Sequence, residues 1–242
     1  ETHIHRTLQD LPNVIQAEDL NVAMPLTYWV TQSDLPPTVG NKNIGGEIPG
    51  HLIQVDPTHV IWPRNTEYEI FHVGKKRHTL GALFFLNHKS IFKKGVPPWG
   101  PLARAARKEG TMFDMDKLDW PFSMTLPHST SARLYELANN HMWRTKFAFT
   151  NWNSRTTGFL QPPSGGKSGG EEDWINYTFG QYYTLLNAGF PLVPTAGTAN
   201  GVHPVPAGFS RVYVHQPKGF SYEGWIDGLK KGRSFVTTGP ML

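Results

Sequence analysis

Short apolar runs rich in β-branched and aromatic residues recur along the chain, and Pro, Gly and Asn bound most of them. This pattern is typical of strands. In the first part of the chain we predict strands in "LNVAMPLTYWV" (20–30), "HVIWP", "TEYEIF" and "LGALFFLNH". In the remainder we predict them in "TMFDMD", "PLVPTAGTA", "SRVYVH" and "SFVTTG".

Helices are predicted between these strands. Residues 100–110 have Pro at the start, helix formers inside and Gly at the end, and residues 171–190 have acidic residues first and apolar residues at helical spacing. "YEGWIDGLKKG" predicts a short third helix, whereas the type of "RLYELANN" stays open, since it also fits a strand that emerges into a loop. Strands that alternate with helices predict an α/β fold with a parallel sheet or barrel.

The domain organisation follows from the same pattern. The Gly/Ser-rich stretch "PPSGGKSGGEED" (162–173) predicts a flexible surface loop, but it is too short and too central to divide domains. We therefore expect a single domain over residues 1–242, a length that is ordinary for an α/β barrel. The chain begins with Glu1 and ends in a strand-like stretch, so whether it is cut from a longer polypeptide stays open.

Composition limits the chemistry. The chain has no cysteine, so any transition-metal site must use His, Asp and Glu. The net charge is +4, but the 23 Lys and Arg are scattered, and we expect no nucleic-acid partner. No apolar run approaches the length of a membrane span. We expect a small-molecule partner, while the oligomeric state stays open.

Metal-competent residues fall at predicted strand ends or in the loops that follow. His3 and His5 lie one residue apart on an extended segment, so their side chains share a face, and Glu67 and Glu69 do the same. Three more histidines take such positions: His78, His141 and His203. Chemistry in α/β barrels collects at the carboxyl ends of strands. Each residue also has a plainer interpretation, such as an exposed strand face for the two glutamates and a simple turn for "GTANG".

Taken in order, several segments resemble the CehA/McbA family of metallohydrolases, a branch of the PHP superfamily. The resemblance runs along the whole chain, and it is carried above all by the H-x-H start, the block "AGT...H...RVYV" and the closing "GRSFVTTGP". It implies a distorted (β/α)7 TIM-like barrel with a centre of two or three metal ions at the C-terminal end of the strands. Allowing for ligands that this chain lacks, we expect one to three divalent ions, and imidazole and carboxylate ligands favour Zn, Mn or Fe. The metal ligands it implies are His3, His5, Glu67, His78, His141 and His203, with Glu18 in "AEDL" as a further one.

The chain departs from the PHP pattern at two places. Tyr28 and Trp29 stand where an acid and a histidine are expected, and "GTANGVH" lacks the aspartate of the usual late motif, with Asn200 or Thr198 in its neighbourhood. Both departures remove ligands, so the centre could hold fewer ions than a complete PHP site. In "DMDKLDW", Asp116, Lys117 or Asp119 falls near another histidine position, and Lys117 is open to two interpretations, a carbamylated metal bridge or a plain salt bridge.

These residues predict a metal-dependent hydrolase. A metal-activated water would attack a carbamate, amide or ester bond, with a phosphoester as a further option. Arg6, Lys117 and Asp119 are the candidate catalytic residues, and Arg6 follows the histidine pair closely enough to hold an anionic substrate group. The alternative is a catalytically degenerate PHP-like domain that binds glycans or peptides, or has a structural role, within a larger surface protein. An extracellular or periplasmic location is the expectation for either.

Overall fold

The computed structural model describes residues 1–30, 32–39, 46–69, 81–118, 123–143 and 171–239, and the backbone of 72–73 and 76–77. Five α-helices occur in these ranges: α1 (Leu11–Ala17), α2 (Trp99–Lys108), α3 (Leu126–Thr130), α4 (Glu171–Asn187) and α5 (Tyr222–Lys230). Short 3-10 helices span Ser123–Thr125 and Asn140–Met142. Within the described part of the chain, no helix is long and apolar enough to cross a membrane.

The same ranges contain thirteen strands, most of them short. They are β1 (Val22–Ala23), β2 (Tyr28–Trp29), β3 (Ile53–Asp56), β4 (His59–Ile61), β5 (Thr66–Glu69), β6 (His72–Val73), β7 (Lys76–Arg77), β8 (Ala82–Leu86), β9 (Met112–Asp116), β10 (Leu134–Ala138), β11 (Val193–Ala196), β12 (Arg211–Val214) and β13 (Ser234–Thr237). The three predicted helices are confirmed, and so are the predicted strands except that the stretch 20–30 forms two short strands, β1 and β2, in different sheets. The stretch "RLYELANN", which the sequence could not assign to a helix or a strand, forms strand β10 and leads into a 3-10 helix.

Helices α1 and α3 were not predicted. Both are short, at seven and five residues, and both have Pro in the first turn. A helix of this length repeats its apolar face once at most, as Leu11 and Ile15 do in α1, and so gives little periodicity to detect. The predicted loop at 162–173 lies almost wholly outside the described residues.

A six-stranded mixed sheet in the order β11-β10-β9-β8-β5-β2 forms the centre of this α/β fold. Strands β9, β10 and β11 are parallel, but β8 is antiparallel to both β5 and β9. The prediction of a parallel sheet is therefore only partly correct. The connection from β5 to β8 contains the hairpin β6–β7. A parallel pair needs a long crossover, usually a helix, and without one the chain returns in the opposite direction.

The N-terminal segment, residues 1–5, pairs through its backbone with chain on both sides. On one side Met24 N–H donates to the Glu1 carbonyl at 3.1 Å and Leu26 N–H to the Ile4 carbonyl at 3.0 Å. On the other side Thr2 N–H donates to the Ala196 carbonyl at 3.2 Å. The segment therefore lies between the residues that lead into β2 and the residues that leave β11, the two outer strands of the sheet.

Alternation along the strands divides the sheet into two faces. One face carries residues such as Phe85, Met115 and Tyr135, which form a large apolar cluster against helices α2, α3 and α4. The opposite face is apolar at one end, where Met112 and Leu134 pack near α5. Towards the carboxyl ends of β9 and β10, the same face becomes acidic. The fold thus places a buried polar region beside a conventional core.

His88 is a buried histidine that the fold holds in its neutral form. Its Nδ1 donates to the Ser90 carbonyl at 2.8 Å, and its Nε2 lies 2.9 Å from the Thr66 hydroxyl, which donates to it. Burial lowers the pKa of His88 to about 4. The pKa of a histidine in the unfolded chain is near 6.5, so between pH 6.5 and pH 4 the folded state binds fewer protons than the unfolded state. The free energy of unfolding therefore decreases as pH falls from 6.5 to 4.

We expect wild-type protein to lose roughly 2 to 3 kcal/mol more unfolding free energy than His88→Gln between pH 7.5 and pH 4.5. The variant will be less stable at pH 7.5, since it disturbs the two hydrogen bonds, but its stability will depend less on pH. Urea unfolding at both pH values measures this. The control is His51→Gln, since His51 is exposed. Equal pH slopes for wild type and His88→Gln would contradict the assignment.

Candidate metal centre

His3, His5 and Glu67 bring three donor atoms together in the interior. The Nε2 atoms of His3 and His5 are 3.2 Å apart, and His5 Nε2 lies 3.4 Å from Glu67 Oε2. All three side chains are buried. The backbone pairing of residues 1–5 holds the two histidines, and β5 positions Glu67. The exposed-face interpretation of Glu67 and Glu69 is wrong, because both lie in a strand whose four residues are buried.

The spacing of these atoms suits a divalent ion. Ligands about 2.0 to 2.1 Å from a tetrahedral Zn²⁺ are about 3.3 Å from one another. Two imidazole nitrogens and one carboxylate form a donor set that Zn, Mn and Fe accept. The three residues therefore form a group that could hold a metal ion, as the sequence predicted for each of them.

A second group shares His3. His3 Nδ1 lies 2.9 Å from Glu136 Oε1, and His3, Asp116 and Glu136 offer ligand atoms within 4.8 Å of one another. The Glu136 carboxyl also shares a hydrogen bond with Asp116. Because Glu136 takes up Nδ1, the imidazole of His3 is turned so that Nε2 faces His5. Metal-binding histidines commonly have such a carboxylate on the second ring nitrogen, where it fixes the orientation of the ring.

Burial and close charges shift the pKa values of these acids in opposite directions. Burial raises the pKa of Glu136 well above its usual range, and the neighbouring Asp116 and Asp114 carboxylates add to the effect. Burial also acts on Asp116, but the charges of Lys117 and His3 outweigh it and hold the pKa of Asp116 well below its usual range. Asp114 lies deeper, and burial raises its pKa to about 8 although Thr195 donates to it at 2.8 Å.

Lys117 is the cation in contact with this acidic cluster. Its Nζ contacts the Asp116 carboxylate, and it lies 3.4 Å from Glu69 Oε1 and 3.8 Å from Glu67 Oε1. Burial alone would lower the pKa of Lys117, but the three carboxylates raise it well above its usual value. Carbamylation requires an uncharged amine, so these contacts favour the salt-bridge interpretation over the metal-bridging one.

His141 and His203 follow β10 and β11 on the side of the sheet where Asp116 lies. The ring of His141 lies 5.2 Å from the Trp174 ring. Burial lowers the pKa of His141 to about 4, and the charges of Lys117 and His203 act in the same direction while Asp116 opposes them. His141 is therefore neutral at physiological pH, the form that binds metals or accepts a proton.

The remaining predicted residues are found elsewhere or are not described. Glu18 lies at the end of α1, where its Oε2 is 3.4 Å from Arg211 Nη2, and it belongs to neither of the two groups. Arg6 donates from Nε to Asn200 Oδ1 at 2.6 Å. His78 and Asp119 lie outside the described residues, so their assignments remain predictions, as does that of Glu18.

Trp29 and Asn200, which stand where the sequence resemblance led us to expect ligands, make side-chain hydrogen bonds. Trp29 Nε1 donates to Glu69 Oε2 at 2.7 Å and so positions a carboxylate that also contacts Lys117. Asn200 accepts from Arg6, and its amide donates to the Val205 carbonyl at 2.6 Å. Both hydrogen bonds fix the orientation of side chains close to the cluster.

Sequence reasoning did not single out Glu136, although a signal was present. The otherwise apolar strand "MFDMD" contains two acids at alternate positions, and the apolar strand "LYELA" contains one at its centre. An acid at an inward position of a core strand is rare unless it is paired, which is the pattern that Asp114, Asp116 and Glu136 share.

In comparisons with known proteins, no family model, no curated protein and no solved structure matches this chain.

The loop after β11 packs directly against the histidine pair. A Cβ atom at Gly197 would lie 2.2 Å from His3 Cβ and 2.4 Å from Glu136 Oε1, and one at Gly201 would lie 2.4 Å from the His5 carbonyl oxygen. Gly201 also has a φ of +102°. The interpretation of "GTANG" as a simple turn accounts for the positive φ of Gly201, but the close approach to the histidine pair requires glycine at both positions.

We expect Gly197→Ala to lower the unfolding free energy by about 1 to 3 kcal/mol and to reduce bound metal, because the new methyl group must displace His3 or Glu136. Urea unfolding and elemental analysis measure both effects. The matched control is Gly180→Ala in α4, where nothing lies within 4 Å of the new Cβ atom, and we expect it to be stabilising by about 0.5 to 1 kcal/mol. A Gly197→Ala protein with unchanged stability and metal content would contradict the described packing.

Proposed function

We propose that this chain is a metal-dependent hydrolase of the PHP type, as its resemblance to the CehA/McbA family implies. The observation that carries the proposal is the buried cluster of His3 Nε2, His5 Nε2 and Glu67 Oε2, whose neighbouring atoms are 3.2 and 3.4 Å apart. A buried pair of imidazole nitrogens that face each other at this distance is unfavourable unless a proton or a metal ion lies between them. The acids around the pair favour a cation.

We also propose that the sheet closes into a distorted (β/α)7 barrel. In this arrangement residues 1–5 are the strand that joins the two outer strands of the mixed sheet. The backbone hydrogen bonds of this segment to Met24 and Leu26 on one side and to Ala196 and Asn200 on the other support closure. The candidate centre then lies at one end of the barrel, where enzymes of this architecture have their active sites.

His3, His5 and Glu67 would hold a divalent ion, Zn, Mn or Fe, with Glu136 orienting His3 through Nδ1. His141 and His203 are proposed as further ligands, and Glu18 and His78 remain candidates from the resemblance. A bound ion would supply Lewis acidity and lower the pKa of a water molecule toward about 7. Hydrolysis is the reaction that this chemistry favours.

Several side chains would support the reaction without holding the ion. The contact with Asn200 fixes the guanidinium of Arg6, which would bind an anionic or oxygen-rich part of the substrate. If His141 is not a ligand, its neutral imidazole is able to accept a proton from water. Asp119 is proposed as a further catalytic residue from the sequence alone. A carbamate, amide or ester is the proposed substrate bond, with a phosphoester second.

Metal content tests the proposal. We expect at least one divalent ion per chain in protein purified without added metal or chelator, measured by inductively coupled plasma mass spectrometry. His3→Ala/His5→Ala should lose this ion and lower hydrolysis of aryl esters, carbamates or phosphates by at least about 100-fold. The matched control is His51→Ala/His128→Ala, which removes two exposed histidines and should retain both properties.

If wild-type protein binds no metal even after reconstitution, the hydrolase proposal is wrong. The degenerate domain that binds glycans or peptides would then be the better hypothesis. Retained hydrolysis in the His3→Ala/His5→Ala variant would also contradict the proposal, since the reaction would not depend on the candidate centre.

A further inference from the structure

The two candidate metal groups are adjacent, and Lys117 connects them. Glu67 belongs to the first group and Asp116 to the second, and the Lys117 ammonium contacts both, together with Glu69. The lysine side chain is 17% exposed and the carboxylates it contacts are 4% exposed or less. A cation so close to buried acids interacts with them strongly, because little water screens the charges.

Two ligand atoms of the second group are already engaged. Lys117 contacts Asp116 Oδ2, and His3 Nδ1 is bonded to Glu136. An ion bound by His3, Asp116 and Glu136 would have to break both interactions or lie beside a fixed positive charge. The first group differs in its distance from the ammonium, because Lys117 Nζ is 3.8 Å from Glu67 Oε1 but in close contact with Asp116 Oδ2.

Charge balance also favours a single divalent ion in this cluster. The three carboxylates around Lys117 carry a formal charge of −3, which one ammonium and one divalent ion neutralise. A second divalent ion in the group of His3, Asp116 and Glu136 would leave the buried cluster with an excess of +2, or of +1 once Glu136 ionises to bind it. Excess charge of either sign is costly in a buried site.

The backbone specifies where the ammonium lies. Lys117 has a φ of +53°, in the left-handed region that a residue with a Cβ atom seldom adopts. Ser123 Oγ donates to the Lys117 carbonyl at 2.7 Å and holds this turn. An unfavourable backbone conformation persists where the surroundings determine it strongly. The turn directly after β9 thus directs the lysine into the acidic cluster.

We propose that Lys117 takes the place of a second metal ion and limits this centre to one divalent ion. The inference rests on the proposed function, since it assumes that the first group binds metal. It assigns Lys117 a positioning role, in which the lysine neutralises and orients Glu67, Glu69 and Asp116 around the single ion.

The test is metal stoichiometry in Lys117→Met, which keeps most of the side-chain volume and removes the charge. We expect wild-type protein titrated with Zn²⁺ to bind one ion tightly and Lys117→Met to bind two, with the second ion held at least about 100-fold more tightly than in wild type. Native mass spectrometry counts the ions, and calorimetry gives the affinities. The matched control is Lys231→Met, which removes a surface lysine that also contacts a carboxylate and should still bind one ion.

Wild-type protein alone supplies a second measurement that does not depend on the folding of a variant. Loaded with Mn²⁺, it should give the electron paramagnetic resonance spectrum of an isolated ion, whereas a spin-coupled pair would overturn the proposal. One ion in both wild type and a folded Lys117→Met or Lys117→Gln variant would overturn the role of Lys117 but leave the hydrolase proposal in place. No ion in any of these proteins would overturn the proposed function itself.

Discussion

The backbone pairing of residues 1–5 on both sides is the constraint on which the candidate centre depends. Met24 and Leu26 donate to this segment on one side, and Thr2 and His5 donate from it to the chain after β11 on the other. Hydrogen bonds on both edges fix the direction of every side chain in the segment. His3 and His5 consequently point into the interior, while Ile4 between them joins an apolar cluster with residues of α1.

Next to this segment the fold tolerates a concentration of buried acids that an apolar core would exclude. Asp116, Glu136 and Glu67 are fully buried, and burial of a charge is costly unless a partner compensates it. Different partners compensate different acids here. Lys117 stabilises the ionised form of Asp116, whereas burial and the neighbouring Asp116 and Asp114 carboxylates raise the pKa of Glu136 well above its usual range. Such divergent pKa values on neighbouring acids are characteristic of functional sites.

The largest apolar cluster lies on one face of the mixed sheet. The candidate site lies at one end of the opposite face. The face against helices α2, α3 and α4 consists mainly of apolar side chains, which support the sheet. The other face changes along its length from the apolar residues near α5 to the carboxylates near the end of β9. Close packing of glycines at 197 and 201 holds the loop after β11 against the histidine pair. A site built on strands in this way is positioned more tightly than one built on loops.

The sequence by itself determined the α/β class, the longer helices and most strands, because these depend on local periodicity and on turn residues. It also predicted that His3, His5 and Glu67 belong together, through alternation and family resemblance. The antiparallel direction of β8, the contact of Glu136 with His3 and the placement of Lys117 among three carboxylates were decided only in the tertiary structure. Each depends on which strands become neighbours and in what register, and that is fixed by contacts between residues distant in sequence, such as His3 and Glu136, which are 133 positions apart.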